Sequence, residues 1–515
     1  MDLHTKETSL ATVSILLTTL NARYSHTSIG LRYLFANLKA LQQDAEIIEF
    51  TINDQVQDIA EQLLKKEPTI IAVGVYIWNA TQVSDLIHII KQVSPKTIIV
   101  LGGPEVSYEP IRVNLDVADY IIRGEAEIAF HMLCHDILQG NQPLERIIDA
   151  GTVSLDDIEL PYRYYNDEDV KNRYIYVEAS RGCPFQCEFC LSSMDNRVRN
   201  LFIDRLLEEF ETLWQRGVRN FKFIDRTFNL NPKISNQILD FFLGKDDDYF
   251  VHFEVIPDHF PSSIQTRIKQ FKPASLQLEV GIQTLNNEVA KRIQRKLNIP
   301  KVVQNITFLE HETHAHMHLD LIVGLPGENL ESFGRGLNQL CALSTAEIQI
   351  GILKHLSGTN LSRHSADFDM IYSSLPPYDI LKNNLLSFED IQRMKRFARF
   401  WDLYRNSGNF KQTLNLLYPK GDVFERFFAF SLWVYAQTHS TWQISLDRLA
   451  KFIFSYLTTV EKLEEEQIAQ ALIHDLMKIE GRVLPAFLKP YAPQQSRKNN
   501  QRKVQGHNKR QLRHL

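Results

Sequence analysis

The chain has 515 residues, 44% of them apolar and 23% charged, with a net charge of −5. That length allows two to four domains with cores of their own, and the composition is that of a globular protein rather than a disordered or collagen-like one. No apolar run is long enough to span a membrane, and the five cysteines, three of them within Cys183–Cys190, make no disulfide framework. The Val13–Leu20 run follows Asp2 and Glu7 rather than a basic segment, so a secretory leader is not expected and a reducing, cytoplasmic setting without membrane contact is.

Residues 1–150 read as alternating strands and helices. Apolar, β-branched runs at Thr12–Leu17, Glu46–Phe50, Thr69–Ile77, Thr97–Leu101 and Tyr120–Ile122 alternate with helical patterns such as Ile29–Leu41 and Val56–Lys66. Five continuous apolar strands joined by helical crossovers predict an α/β fold with a doubly wound parallel sheet, whose ligand lies at the carboxyl ends of the strands. That edge carries Asn21–Gly30 with His26, then Trp78-Asn79, Gly102-Gly103-Pro104 and Arg123-Gly124-Glu125. Bare backbone at Gly102 and Gly103 would let a phosphate or nucleotide tail approach N–H groups, although a glycine pair after a strand also makes an ordinary turn.

Residues 151–170 are polar, with Pro161 and several tyrosines, and read as a linker to a second domain over 171–365. There, strand candidates recur at Tyr174–Ser180, Asn220–Asp225, Val251–Ile256, Ser275–Gln283, His316–Gly324 and Glu347–Leu353, separated by helical stretches such as Asp204–Arg216 and Val302–Glu312. This predicts a (β/α)6-type partial barrel of the TIM class. Within the strands, Ser275, Gln277, Glu279, Gly281 and Gln283 alternate with Leu276, Leu278, Val280 and Ile282, and His316, His318 and Asp320 alternate with Met317, Leu319 and Leu321. Period two puts each set on one side, apolar toward outer helices and polar toward the lumen. A polar lumen is a substrate cavity. The tract His311, His314, His316 and His318 has the composition of a metal site, but only Asp320 offers a nearby carboxylate, and contact with substrate is the preferred reading.

The loop after the first of these strands holds Cys183, Cys187 and Cys190, spaced C-x3-C-x2-C. Thiolates suit an iron–sulfur cluster, and three ligands from one loop leave one iron of a [4Fe–4S] cube open to bind substrate. A zinc knuckle is the alternative, but neither Cys134 nor Cys341 lies in a second hook that would close a tetrahedron. Farther on, Phe397, Phe400, Trp401, Tyr404, Phe424, Phe427, Phe428, Trp433 and Tyr435 recur at helical spacing, predicting a helical core over 366–492. From 493 to 515 there are seven basic residues and no acidic one, which leaves the rest of the chain at −12. This tail is predicted to be disordered, as a solvated terminus rather than a salt-sensitive contact for RNA.

The run Arg181-Gly182-Cys183-Pro184-Phe185-Gln186-Cys187-Glu188-Phe189-Cys190 resembles the radical S-adenosylmethionine (SAM) enzymes, a resemblance that extends over about Tyr174–Leu356. It implies a [4Fe–4S] cluster on Cys183, Cys187 and Cys190, SAM chelating the fourth iron, a reductant of flavodoxin or ferredoxin type, and a 5′-deoxyadenosyl radical that takes hydrogen from an unactivated carbon. It also implies that Phe189 packs near the adenine and that Asp225, in Ile224–Asn229, stands where the family has a Gly-Gly-Glu-like stretch touching the methionine amine. This chain departs from that wording there. Glu254, Glu279, Gly281 and Gln283 correspond to positions near the methionine or ribose, and Asp320-x-Ile322-x-Gly324 to the region beside adenine.

The front domain resembles the cobalamin-binding domain of cobalamin-dependent radical enzymes, through Leu20–Leu34 and the later glycine loops. This implies cobalamin contacts at Asn21, His26, Gly102, Gly103 and Gly124. The Asp-x-His-x-x-Gly motif that gives cobalt a lower histidine ligand is missing, so cobalamin is expected to bind without it. Phe397–Gly408 resembles the uncharacterised helical domain that accompanies this branch. The implied function is a radical SAM enzyme that is cobalamin-dependent and methylates an unactivated carbon. Corrin-free rearrangement, oxidation or sulfur insertion, and an iron–sulfur or corrin sensor, stay open as alternatives, and the substrate is not named.

Overall fold

The computed structural model describes residues 13–418, 421–479 and 481–492. Its first sheet contains β1 (Ile15–Asn21), β2 (Ala45–Thr51), β3 (Ile70–Gly74), β4 (Ile98–Gly102), β5 (Tyr120–Gly124) and β6 (Ile147–Gly151), all parallel, in the order β2-β1-β3-β4-β5-β6. Because both faces of these strands are apolar, helices cover both. Ile15, Leu17 and Ala72 pack with Leu31 of α1 (Ile29–Ala36) and Phe130 of α5 (Glu127–Leu138). On the opposite face Leu16, Ile71 and Val73 pack with Ile59 of α2 (Val56–Leu64) and Val83 of α3 (Ala80–Val93). The short α4 (Pro104–Ser107) follows β4. The strand order reverses between β1 and β3, which opens a crevice at their carboxyl ends. Five strands were expected and there are six. The sixth, β6, is a half-exposed edge strand whose Ile-Ile-Asp-Ala-Gly sequence is too short and mixed to give a pattern.

The supposed linker is packed rather than slack. Leu155, Ile158, Leu160, Tyr162 and Tyr165 are buried in the second domain's core, and Asn166 and Asp169 form a capping box on α6 (Asp167–Asn172). Asp169 also pairs with Arg32 at 2.7 Å, and Arg32 with Glu49 at 2.9 Å, all three side chains being buried. The tyrosine hydroxyls explain how a polar-looking segment can be buried. Tyr165 donates to the Tyr176 carbonyl at 2.6 Å and Tyr162 to that of Glu178 at 3.1 Å.

The second sheet runs β7 (Ile175–Val177), β10 (Asn220–Phe223), β11 (Phe250–Val255), β12 (Leu276–Gln283), β13 (His316–Val323) and β14 (Glu347–Ile352), neighbour to neighbour in chain order and wholly parallel. Two-residue strands β8 (Ser180–Arg181) and β9 (Arg199–Asn200) interrupt it after β7. The crossovers are α7 (Ile203–Gln215), α8 (Pro232–Leu243), α9 (Ser262–Ile268), α10 (Asn287–Arg292) with α11 (Ile299–Glu312), and α12 (Leu330–Leu343). β7 and β14 do not pair, so the barrel is open. The alternation holds: along β12 and β13 buried apolar residues alternate with half-buried ones, which are polar except for Gly281 and Ile322.

The next segment begins with a small antiparallel pair, β15 (Ile371–Tyr372) and β16 (Ile380–Lys382), followed by α13 (Phe388–Trp401), a π-helical turn at Asp402–Asn406, α14 (Lys411–Leu417), α15 (Val423–Thr438), α16 (Leu446–Thr459) and α17 (Glu465–Met477). Its aromatic stripe is helical core: Phe397, Phe400, Trp401, Tyr404, Phe424 and Phe427 are fully buried and continuous with the barrel core. Among the described residues no helix is long and apolar enough to cross a membrane. The basic tail from 493 onward lies outside the described residues.

Candidate functional site

The cysteine loop runs between β8 and β9, whose antiparallel pairing closes its base. Gly182 adopts φ +88°, and a Cβ there would fall 2.2 Å from the Arg197 carbonyl oxygen, so the turn needs glycine. Cys183 and Cys187 are buried and Cys190 is half-buried. The Cys183 N–H donates to the Asp195 carbonyl at 2.9 Å, and that of Cys190 to Cys187 at 3.1 Å. Inside the motif, Glu188 turns inward and is only 1% exposed. Its carboxylate accepts from Gln294 Nε2 (2.7 Å) and Arg363 Nε (3.0 Å) and meets His364 Nε2 at 2.6 Å. One acidic residue thus pins the loop to two later segments. Phe189 packs, half-buried, on the barrel core. Burial pushes the Cys183 and Cys187 thiols up. The Arg295 guanidinium, 3.6 Å from Cys187 Sγ, pulls the second one back down.

Polar strand faces meet across the lumen below this loop. Arg226 donates to Glu254 Oε1 at 2.7 Å, and His252 Nε2 lies 3.0 Å from Glu279 Oε2. Burial works to raise Glu279, but the His252 contact and the nearby Lys222 and His318 hold it below the usual carboxylate range. Asp320 goes the other way: burial and the charges of Glu279 and Glu254 drive it well up, with Arg295 opposing. Arg295 also donates to the Gly281 carbonyl. Gln283 sits at a bulge in β12 with φ +71°, a left-handed backbone that a side chain adopts only under constraint. Glu254, Glu279, Gln283 and Asp320 are therefore gathered on one wall, with Arg226 and Arg295 beside them.

A second cavity of about 280 Å³ lies at the carboxyl edge of the first sheet, lined by apolar groups and by Gly30, Gly74, Gly102, Gly103 and Gly124. At Gly103, φ is +106° and a Cβ would sit 2.6 Å from the Val75 carbonyl oxygen. Gly103 is thus required by the turn itself, and the lining glycines present backbone without side chains to the cavity. Glu178 and Arg181 of the second domain form part of its wall. Arg181, directly before Gly182, pairs with Glu127 at 2.7 Å and Glu178 at 2.9 Å, and reaches Glu125 at 3.5 Å. The cavity and the cysteine loop thus share a wall.

A model of the B12 binding domain matches residues 15–133, one of the radical SAM superfamily matches 177–340, and one of a protein of unknown function (DUF4080) matches 366–514. The chain is a radical SAM protein with a B12-binding domain. It is 28% identical to an uncharacterized methyltransferase of Pyrococcus horikoshii over 40% of this chain and 50% of that one. It is 25% identical to the cobalamin-dependent radical SAM methyltransferase TokK of Streptomyces tokunonensis over 58% and 49%. The chain thus spans about half the length of these relatives. In fold it resembles the cobalamin-dependent SAM radical enzyme OxsB, with a TM-score of 0.61 at 13% identity, over 90% of this chain and 79% of that one. The radical SAM and B12-binding regions imply a [4Fe–4S] cluster, SAM and cobalamin as cofactors.

The residues fit these groups unequally. Cys183, Cys187 and Cys190 offer the cluster three thiolates on a braced loop, and the glycine-lined cavity of the B12-binding domain offers a mostly apolar slot. Asn21 and His26 do not line that cavity. Asn21 is buried and donates to the His26 carbonyl (3.2 Å) and to Glu49 (3.1 Å), while His26 Nδ1 contacts the Tyr176 hydroxyl on β7. Asn21 thus holds the loop within its own domain, and His26 ties the loop to the radical SAM domain. At Gly324, with φ +94°, the space a Cβ would need is taken by Ile380 Cγ2, 2.7 Å away, so the end of β13 packs closely on β16 there. Asp225 faces away from the lumen, as its carboxylate accepts from the Ala179 N–H (2.9 Å) and the Ser180 hydroxyl (2.6 Å). Sequence reasoning missed Arg295, Arg226, Arg181 and the Glu188 anchor, since each acquires meaning only from a partner distant in the chain.

Proposed function

We propose that this protein is a cobalamin-dependent radical SAM methyltransferase acting on an unactivated carbon, with Cys183, Cys187 and Cys190 as the cluster ligands. The observation that carries this reading is the wall shared by the glycine-lined cavity and the cysteine loop through Arg181. The methyltransferase names of the Pyrococcus and Streptomyces relatives support it. When bound, the cluster supplies an electron to the sulfonium of SAM, and cobalamin supplies a carrier for a methyl group.

The chain's own residues supply position and charge. Arg226 and Arg295 would meet the methionine carboxylate, and Glu254 its amine, with Asp320 beside them on the same wall. Arg295 additionally donates toward Cys187 Sγ, a hydrogen bond of the kind that tunes a cluster's potential. Gly102, Gly103 and Gly124 let a corrin tail lie against backbone. Electron delivery by a flavodoxin or ferredoxin, and a reducing cytoplasm consistent with five cysteines of which none forms a disulfide, complete the proposal.

The test is anaerobic reconstitution with iron, sulfide and cobalamin, followed by reduction in the presence of SAM. Methyl transfer through a corrin yields both S-adenosylhomocysteine and 5′-deoxyadenosine, and Cys183→Ala is expected to lose the cluster absorbance and the 5′-deoxyadenosine. Release of 5′-deoxyadenosine alone, by protein that retains no corrin, would replace this reading with corrin-free radical chemistry. No SAM cleavage by cluster-loaded protein would leave a sensor.

A further inference from the structure

At the opposite end of the barrel from the cysteine loop, where β13 and β14 begin, His316, His318 and Glu347 bring two imidazoles and a carboxylate to one point. Their ligand atoms all lie within 4.8 Å of one another. The convergence follows from register. His316 and His318 are two residues apart and share one face of β13, and Glu347 on β14 stands directly opposite His318. His316 Nε2 is 3.2 Å from Glu347 Oε1, and His318 Nε2 is 3.6 Å from Glu347 Oε2. Bonds of about 2.0–2.1 Å to a tetrahedral ion put neighbouring ligand atoms roughly 3.3 Å apart, so these separations are those of a coordination shell.

Three further features point the same way. Gln277 on β12 and Gln349 on β14 both reach His318 Nδ1, at 3.1 and 2.5 Å, which fixes the ring and leaves Nε2 aimed at Glu347. With an amide turned to present its carbonyl oxygen, Nδ1–H donates outward and Nε2 is left bare for an ion, the way outer residues orient a metal-binding histidine. Glu347 is 1% exposed, and a carboxylate so deeply buried needs positive charge nearby. Finally, a cleft of about 230 Å³, with His316, Glu310, Thr313 and Thr345 in its wall, opens beside the group. Of the three groups only His316 lines it, so an ion would reach the site past that ring.

We propose that His316, His318 and Glu347 form a second metal site, for a divalent first-row ion of the zinc or ferrous type. Two imidazoles and a carboxylate suit such ions better than magnesium or calcium. The site is separate from the cluster and does not depend on cobalamin or on methyl transfer.

The test uses full-length protein with its cluster loaded, exposed to Zn²⁺, gel-filtered, and analysed for zinc and iron together with its thermal midpoint. One zinc per chain is expected with iron content unchanged, and zinc should raise the midpoint. His318→Gln and Glu347→Gln should abolish both effects. Gln277→Ala, outside the ligand set, should weaken zinc binding by roughly tenfold, and it serves as the deciding variant if the ligand substitutions fail to fold. Zinc-free parent protein, folded ligand variants that still bind one zinc, or unchanged affinity in Gln277→Ala would each overturn the proposal and leave an ordinary histidine–carboxylate ion pair.

Discussion

Asp225 is 3% exposed behind the cysteine loop, with its carboxylate engaged by the Ala179 amide and the Ser180 hydroxyl. Burial pushes its pKa up to about 7 from an ordinary value of 3.8, although both hydrogen bonds pull the other way. A folded-state value above the unfolded one means that the folded chain holds the extra proton between the two. Stability contributed by the neutral form is therefore present at low pH and is lost as pH rises toward 7, at about 1.4 kcal/mol per pH unit. Asp225→Asn keeps an acceptor and removes the charge. Relative to the parent, the variant should gain roughly 2–3 kcal/mol between pH 5 and pH 8 in chemical denaturation. A difference that stays flat across that range would mean the carboxylate is already ionised in the fold. At this scale the cysteine spacing was legible in sequence because it is local. The direction in which Asp225 points was not, because burial and the Ala179–Ser180 contact are set by the strand beside it. Glu188 is the same case: its partners Gln294, Arg363 and His364 lie more than a hundred residues away.

Among elements, the barrel strands were readable almost to the residue, since polar and apolar side chains alternate wherever one face meets helices and the other a wet lumen. The front sheet was readable as continuous apolar runs for the opposite reason, being covered on both faces. What escaped was β6, an edge strand with only one neighbour to satisfy, and the packed segment around Tyr162 and Tyr165, which buries rings while its hydroxyls use backbone carbonyls. The glycine loop after β4 lies between these cases, because two glycines can make a turn or a cradle. The positive φ of Gly103 and its closeness to Val75 decide for a constrained loop. Gly103→Ala should force that loop to shift, at a cost of about 1–3 kcal/mol. We expect the variant to retain its iron and its SAM cleavage but to lose at least tenfold in cobalamin affinity, measured by equilibrium dialysis. Unchanged corrin binding would mean that the cavity beneath this loop is not the corrin site.

An open barrel leaves β14 as an edge, and the whole molecule shows how that edge is managed. The π-helical turn after α13 presents Asn406, 3% exposed, whose side chain accepts from the Ile348 N–H at 3.0 Å and donates to the Ile348 carbonyl at 2.8 Å. One asparagine thus stands in for a missing strand, and the helical region covers a row of backbone groups that would otherwise invite pairing with another chain. The aromatic helices also share one continuous core with the barrel, and Phe424 of α15 packs so closely on α12 that a Cβ at Gly334 would be 2.5 Å from its ring. The helical segment is therefore a structural wall of the barrel, whatever else it does. Asn406→Ala would leave two buried backbone groups without partners, each costing about 1–3 kcal/mol, and should lower the thermal midpoint. It should also speed hydrogen exchange at Ile348 and at the β14 amides near it, while β10 and β11 on the other side of the barrel keep their protection. Because Glu347 and Gln349 flank Ile348, the same variant should loosen the barrel floor and weaken zinc uptake there, even though Asn406 touches no proposed ligand. If exchange at Ile348 is no faster than in the parent, the edge is held by the surrounding core alone, and the asparagine is only a passenger in the turn.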